Sequence, residues 1–222
     1  MLTRNKIYER DEPSKDAKKI YIFCEGDTEV NYFNYFKGFS SNIDIVTIGN
    51  TNTQSDPKKL HQDALLKLFG NEFEKPELSF REDFGDEVWF VIDTDHWNKG
   101  NKIEDLRTNC LQHANWNVSQ SNSCFELWLF YHFNEAKPLE TEIEKYVSFK
   151  AFVNNKIKGG FNTRKNPILI QDAIANGEKN FEKLDNQPVY LSTEVFLLAK
   201  AILPFIKNNI NQGLAKYKSN LA

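Results

Sequence analysis

Acidic side chains follow two apolar segments of this 222-residue chain. Glu25 comes soon after residues 19–23, and Asp93 and Asp95 come directly after residues 87–92. Each segment is rich in β-branched and aromatic residues and predicts a buried parallel strand. The carboxyl ends of parallel strands meet at one rim of an α/β sheet, where ligands bind, so we expect these carboxylates to lie close together. Like charges repel at that distance unless a cation lies between them. The pattern therefore predicts a metal site.

The spacing of the acids suggests which metal and which chemistry. Asp93 and Asp95 are two residues apart, so their side chains point the same way along an extended segment. Such a pair can hold Mg²⁺ or Mn²⁺, which prefer hard oxygen ligands. Glu25 could share that ion or act as a general base, and Glu29, one helical turn further on, makes a second ion possible. Two ions together stabilise the attacking and leaving oxygens of a phosphodiester.

Each acid also has a simpler structural interpretation. A lone Asp-x-Asp after a strand is common in turns, where Asp93 would only cap a loop. Gly26 favours the metal site, because it permits the tight turn that brings Glu25 to the rim. Glu126 is the only acid in the apolar segment 122–133, and a buried carboxylate needs a partner or a metal. A hydrogen bond in the first turn of a helix explains Glu126 equally well.

Two histidines and a basic loop are weaker candidates. His132 is expected in the core, and His96 in an exposed loop rather than as a metal neighbour or proton shuttle. The loop around residues 159–162 could clamp a phosphate backbone, with Phe161 as its aromatic residue. A solvated loop is the simpler interpretation. The basic residues that bracket it are Lys156, Lys158, Arg164 and Lys165.

Composition limits the class of protein. The formal net charge of −3 argues against a protein that coats nucleic acid by electrostatics alone, because such domains are strongly basic. The three cysteines are widely spaced and support neither a disulfide framework nor a zinc knuckle. Residues 1–19 lack the apolar stretch of a signal peptide, and the apolar block 125–133 is too short to cross a bilayer. We therefore expect a cytoplasmic protein without a membrane partner.

Alternating strands and helices predict an α/β fold with a mainly parallel four-stranded sheet flanked by helices. Thr28 is a candidate cap for the first helix, and Asp56-Pro57 is a good start for the second. The third helix is expected to turn Ile103, Leu106, Cys110 and Leu111 inward. Strands are expected at 19–23, 43–48, 87–92 and 116–119, and helices at 29–39, 57–69, around 103–111, and at 124–133, 149–158, 167–181 and 193–209.

These elements predict three regions. Residues 1–18 are expected to form a flexible arm, because they alternate charges around Pro13. Residues 19–135 carry the alternating pattern and are expected to form the α/β core. Residues 136–222 are expected to form a helical extension that packs on that core.

The order strand-Glu-Gly, helix, strand, helix, strand-Asp-x-Asp resembles the Toprim domain of topoisomerases, primases and overcoming-lysogenization-defect nucleases. Three blocks, residues 22–33, 88–95 and 121–133, more closely resemble the RloB family. RloB proteins occur in bacterial restriction and defence loci, often encoded beside an ATPase of the ABC type. The family often has Pro where this chain has Ser123 and commonly Tyr where it has Phe161. Neither departure touches an acid, and the later segments match only loosely.

The resemblance implies a Toprim-like core in which Glu25, Asp93 and Asp95 are linked to metal. Glu29 and Glu126 match family positions and are further catalytic candidates. It also implies a Mg²⁺-dependent (or Mn²⁺-dependent) nuclease that cuts DNA or structured RNA such as tRNA, in anti-phage defence linked to restriction loci. Because the chain is not basic, we expect a partner, such as the ATPase, to supply binding or to restrain the activity.

Other functions explain less of the pattern. Mn²⁺-dependent nucleotide-sugar transferases also carry Asp-x-Asp after an apolar strand, but they leave Glu25 unexplained. Aspartyl phosphatases need the acids at the first strand and usually a following Gly-Thr, where this chain has His96 and Trp97. A non-catalytic Toprim-like effector or sensor subunit of a defence complex is the main alternative to an enzyme. The intact acids argue against such a degenerate domain.

Overall fold

The computed structural model describes residues 10–49, 56–94 and 100–219. Strands and helices alternate in the first half of the chain, and helices dominate the second. The strands are β1 (Lys18–Cys24), β2 (Ile43–Gly49), β3 (Glu87–Asp93), β4 (Trp116–Asn122), β5 (Lys183–Leu184), β6 (Gln187–Pro188) and β7 (Ser192–Thr193). The helices are α1 (Asp27–Asn34), α2 (Pro57–Phe69), α3 (Lys102–Cys110), α4 (Glu126–Phe130), α5 (Glu140–Ile143), α6 (Phe149–Lys156), α7 (Ile170–Lys179) and α8 (Val195–Ser219).

Five strands form one sheet in the order β2-β1-β3-β4-β7. The first four are parallel, and β7 pairs antiparallel with the end of β4. The predicted α/β fold with a mainly parallel sheet flanked by helices is confirmed. The likeness to a Toprim domain stays a prediction. Neither β7 nor the separate β5–β6 hairpin is predicted, because two-residue strands carry no periodicity.

Alternation along β1 sends its side chains into two apolar layers. Ile20, Ile22 and Cys24 belong to the layer shared with α1, α4, α7 and α8. Tyr21 and Phe23 belong to the layer shared with α2 and α3. Because both faces are covered, the strand is a continuous apolar run, as is usual for buried parallel strands. The buried run ends at Cys24, and Glu25, the acid that follows it, is half-buried.

Capping groups explain the starts of the first two helices, with a correction. The Asp56 carboxylate accepts a hydrogen bond of 2.9 Å from the Lys58 N–H and caps α2, as predicted. The prediction that Thr28 caps α1 is wrong, because the N-cap position is Gly26. The helix also ends at Asn34, five residues earlier than predicted, since the next residues form tighter turns with hydrogen bonds between residues three apart.

The inward face of α3 is three residues long rather than four. Ile103, Leu106 and Cys110 are buried, as predicted. Leu111 is 86% exposed, so its predicted burial is wrong. The helix ends at Cys110, and Leu111 lies at the start of the turn that connects α3 to β4.

Several later elements differ in length from their predictions, and α7 spans Ile170–Lys179 instead of 167–181. β4 runs to Asn122 instead of 119, because polar side chains near its end are buried with hydrogen-bond partners. α4 is only five residues long and completely buried. α8 begins at Val195 and continues to Ser219, ten residues beyond the predicted end. Its inward residues share the apolar layer of α1, which ties the C-terminal part of the chain to the sheet.

The described part of the N-terminal arm is attached to the turn after α1. The Asp11 N–H donates to the Gly38 carbonyl at 2.8 Å, and the Arg10 guanidinium donates to the Lys37 carbonyl at 2.6 Å. Residues 1–9 lie outside the described residues. Among the helices of the described ranges, none combines the length and apolar character needed to cross a bilayer.

Candidate functional site

The ends of β1 and β3 are joined by hydrogen bonds at the carboxyl edge of the sheet. The Asp93 N–H donates to Glu25 Oε2 at 3.0 Å, and the Glu25 N–H donates to the Val91 carbonyl at 3.3 Å. The structure thus brings Glu25 and Asp93 together, because the Glu25 carboxylate accepts a hydrogen bond from the Asp93 backbone. Asp95 and His96 lie outside the described residues. The role of Asp95 as a further metal ligand stays a prediction.

Glu29 lies in the first turn of α1, beside this junction, and is only 5% exposed. Burial raises the pKa of its carboxyl to about 7, and the charges of Glu126 and Glu25 add to the increase. A side-chain carbon at Gly26 would lie 3.1 Å from Glu29 Oε2. Glycine therefore leaves the room that the Glu29 carboxylate occupies. This gives Gly26 a second role, which the sequence analysis missed.

Glu126 is the first residue of α4 and is 7% exposed. Its Oε1 forms an ion pair of 2.8 Å with Lys150 Nζ, and this hydrogen bond raises the pKa of the lysine. The predicted need for a partner is met by a cation from α6. Sequence patterns give no indication of Lys150, because it is 24 residues from Glu126 and meets it only through tertiary packing.

The Cys124 thiol lies near both Glu126 and Asp93. Burial raises the pKa of this thiol, and the nearby charges of Glu126 and Asp93 raise it further, so the thiol stays protonated at neutral pH. Both carboxylates therefore lie close to one buried sulfur. We call Glu25, Glu29, Asp93 and Glu126, the candidate site acids that the structure describes, the acid cluster.

A model of the RloB-like protein family matches residues 20–202. This chain belongs to the RloB-like family. The matched span contains the entire acid cluster and runs from β1 into α8, well beyond the blocks that first suggested the resemblance. No curated protein and no solved structure matches the chain.

The acid cluster of this RloB-like chain has the donor chemistry of a divalent-cation site. Its ligands are carboxylate oxygens, which suit Mg²⁺ and Mn²⁺. Burial is the main cause of the raised pKa of Glu29, and the charges of Glu126 and Glu25 add to it. Within residues 10–49, 56–94 and 100–219, no three His, Cys, Asp or Glu side chains are grouped closely enough to hold an ion. A complete ligand set would therefore need Asp95, water, or a small movement of the carboxylates.

His132 lies in the core, as predicted. Its Nε2 is 3.1 Å from the Tyr32 hydroxyl, and its Nδ1 is 3.0 Å from the Trp128 carbonyl. Burial lowers the pKa of the imidazole to about 3, so the ring stays neutral. Phe161 packs against this ring, with centroids 4.9 Å apart, and against Tyr32. Phe161, the aromatic residue of the basic loop, therefore packs against the core. Of the basic residues that bracket this loop, Lys156 forms an ion pair with Glu142.

Replacing Lys150 with methionine is expected to destabilise the chain by about 1–2 kcal/mol, because it leaves the buried Glu126 carboxylate without its cation. Lys150 is itself largely exposed, which keeps the cost below that of a fully buried pair. Lys156→Met is the matched control, since Lys156 lies on the same helix and its pair with Glu142 is also 2.8 Å long, but the Glu142 carboxylate is 39% exposed where that of Glu126 is 9% exposed.

Urea unfolding in the presence of a chelator measures both variants. The control should lose clearly less stability than Lys150→Met, because ion pairs of exposed carboxylates contribute little. Adding Glu126→Gln to Lys150→Met should recover most of the loss, because the uncompensated charge is removed. Equal losses in the two lysine variants, with no recovery in the double variant, would contradict this account of the pair.

Proposed function

We propose that this RloB-like chain is a Mg²⁺-dependent nuclease that hydrolyses phosphodiester bonds in DNA or in structured RNA such as tRNA. The observation that carries the proposal is the junction of Glu25 and Asp93 at adjacent strand ends, with Glu29 close enough to Glu25 for the charges of these two carboxylates to interact. These carboxylates lie at the carboxyl edge of a parallel sheet, which is where α/β enzymes bind their ligands. The same chemistry would serve bacterial defence, the setting that the family resemblance implies.

Asp93, Asp95 and Glu25 would hold the ion. When bound, Mg²⁺ supplies a water of lowered pKa and neutralises charge on the scissile phosphate. The hydrogen bond from the Asp93 backbone fixes the Glu25 carboxylate in orientation before any ion arrives. Such fixed ligands lose less entropy on binding than mobile ones.

Glu29 is suited to move a proton. With a pKa of about 7, its carboxyl exchanges a proton near neutral pH, which is where a general base or acid is most effective. Two candidates for the base are thus present, Glu25 and Glu29. The raised pKa favours Glu29 for this role and leaves Glu25 as a ligand.

Substrate binding would need additional positive charge. The chain has a net charge of −3, and nucleic-acid affinity depends mainly on cations that face phosphates. Lys150 offers one such charge beside the acid cluster. A partner, for which an ABC-type ATPase is the candidate, would supply the rest.

Cleavage assays test the proposal. Purified chain, alone and mixed with any ABC-type ATPase that its own locus encodes, is incubated with plasmid DNA and with tRNA, in Mg²⁺ or in EDTA. We expect cleavage of at least one substrate in Mg²⁺ and none in EDTA. Intact substrates under every condition, with correctly folded protein, would contradict a nuclease.

A non-catalytic effector or sensor is the second candidate. It is favoured by one observation, the lack of a three-ligand group among the described side chains. Asp93→Asn separates the two functions. If the variant still binds its partner but no longer cleaves nucleic acid or harms the cells that express it, the enzyme is supported. If the variant stays as toxic to those cells as the wild type, the effector is supported.

A further inference from the structure

Thr94, the residue between the two aspartates, is held by four hydrogen bonds. Its N–H is 2.9 Å from the Ser121 carbonyl and 3.0 Å from the Ser123 carbonyl. Its buried hydroxyl donates to the Ser121 carbonyl at 2.9 Å and accepts from Gln120 Nε2 at 2.7 Å. Both the backbone and the side chain of Thr94 are thus fixed to β4 and the residue after it. Asp93 therefore directly precedes a residue whose orientation is determined from the neighbouring strand.

Gln120 is itself fixed from the opposite side. Its side chain is completely buried, and its Oε1 accepts from Arg107 Nη2 at 2.8 Å. With Nε2 on Thr94, both ends of the amide have partners, so the amide cannot flip without losing two hydrogen bonds. Hydrogen bonds constrain direction in a way that apolar packing does not.

The same network includes the residue just before α8. Glu194 Oε2 accepts from Arg107 Nη2 and, at 3.1 Å, from the Gln120 N–H. The Glu194 N–H donates in turn to the Gln120 carbonyl at 2.8 Å. The arginine of α3, the glutamine of β4 and the glutamate before α8 therefore form one polar group, in which Gln120 and Glu194 are buried and Arg107 is 17% exposed. Buried networks whose members are hydrogen-bonded to each other are rigid.

We propose that Thr94 and Gln120, supported by Arg107 and Glu194, are positioning residues that orient Asp93 for cation binding. The inference rests on the proposed function, since it gives the network a role in that site. Outer-shell partners of this kind fix the direction of metal ligands, and their loss typically lowers metal affinity roughly 10–100-fold. The network also makes the ligand geometry depend on Glu194 and hence on the start of α8.

Thr94→Val tests the inference, because valine keeps the shape of threonine and removes only the hydroxyl. Mn²⁺ binding by the full chain, measured by calorimetry and by electron paramagnetic resonance of free Mn²⁺, should weaken about tenfold. Thr94→Ser keeps the hydroxyl and should restore affinity to within about twofold of wild type. Thr94→Ala replaces Thr94→Val if the valine variant does not fold.

Thr193→Val is the matched control. Thr193 is also buried, and its hydroxyl lies 2.8 Å from the Ser121 hydroxyl, yet it does not contact Thr94 by hydrogen bonding in the described network. Its Mn²⁺ affinity should equal that of wild type even if its stability falls. Wild-type affinity in Thr94→Val, or an equal loss in Thr193→Val, overturns this inference alone. A wild-type chain that binds no Mn²⁺ overturns the proposed function and this inference with it.

Discussion

Asp93→Asn is expected to lower Mg²⁺-dependent cleavage by on the order of 10³-fold, because a neutral amide is a much weaker ligand than a carboxylate. A bound ion contributes several kcal/mol of charge stabilisation in the transition state, and about 1.4 kcal/mol corresponds to a factor of ten in rate. Glu25→Gln should cause a comparable loss. The hydrogen bond from the Asp93 N–H can still reach the amide oxygen of a glutamine at position 25, so the fold is expected to survive.

Glu87→Gln is the matched control for Asp93→Asn. Glu87 lies on the same strand at the opposite end, where it contacts Lys18 and Trp89 Nε1. Single-turnover cleavage rates, with circular dichroism to verify folding, measure all three variants. The control should keep its cleavage rate to within about threefold, since its carboxylate is far from the reacting phosphate. Wild-type cleavage by a folded Asp93→Asn variant would contradict the assignment of this site.

Glu29→Gln is expected to change the pH dependence of stability by about 2–3 kcal/mol between pH 5 and pH 8 in chelator. The folded-state pKa of about 7 lies above the ordinary value of 4.5, so the folded protein binds the proton more tightly than the unfolded chain does. The resulting stability is fully present below pH 4.5 and is lost as the pH rises through 7. Glutamine cannot ionise, so the variant lacks this loss.

Urea unfolding of both proteins at several pH values measures the difference. Relative to wild type, Glu29→Gln should gain stability steadily from pH 5 to pH 8. Glu178→Gln is the control, because Glu178 is a largely exposed acid paired with Lys200 on the surface. Its difference from wild type should vary by less than about 1 kcal/mol over the same range. A Glu29→Gln difference that does not vary with pH would show that Glu29 ionises normally in the folded protein.

The sequence is sufficient to predict the junction of Glu25 and Asp93. Each follows a strand that is apolar on both faces, and such runs identify buried parallel strands whose ends meet at one edge. The main elements of the first half of the chain follow for the same reason. The start of a helix can be predicted where a side chain caps it, as Asp56 does for α2. The prediction fails where the N-cap residue has no capping side chain, as at Gly26 before α1.

The rest of the site depends on contacts between residues that are distant in the chain. Glu194 lies 74 residues from Gln120 in sequence, and Lys150 meets Glu126 only because α6 packs beside α4. The two-residue strand β7 brings Glu194 to β4. The raised pKa of Glu29 likewise requires knowledge of how deeply α1 is buried. Periodicity and spacing describe local structure and contain no information on such pairings.

The location of a bound Mn²⁺ ion tests the central claim most directly. Crystals grown with MnCl₂ and measured at the manganese absorption edge give the position of the ion from its anomalous scattering. The account predicts one peak within about 2.0–2.3 Å of a carboxylate oxygen of Asp93 and of Glu25 or Asp95, and Asp93→Asn should remove it. A saturating ion located elsewhere, or a fully occupied peak that persists in Asp93→Asn, would contradict a metal centre at the ends of β1 and β3.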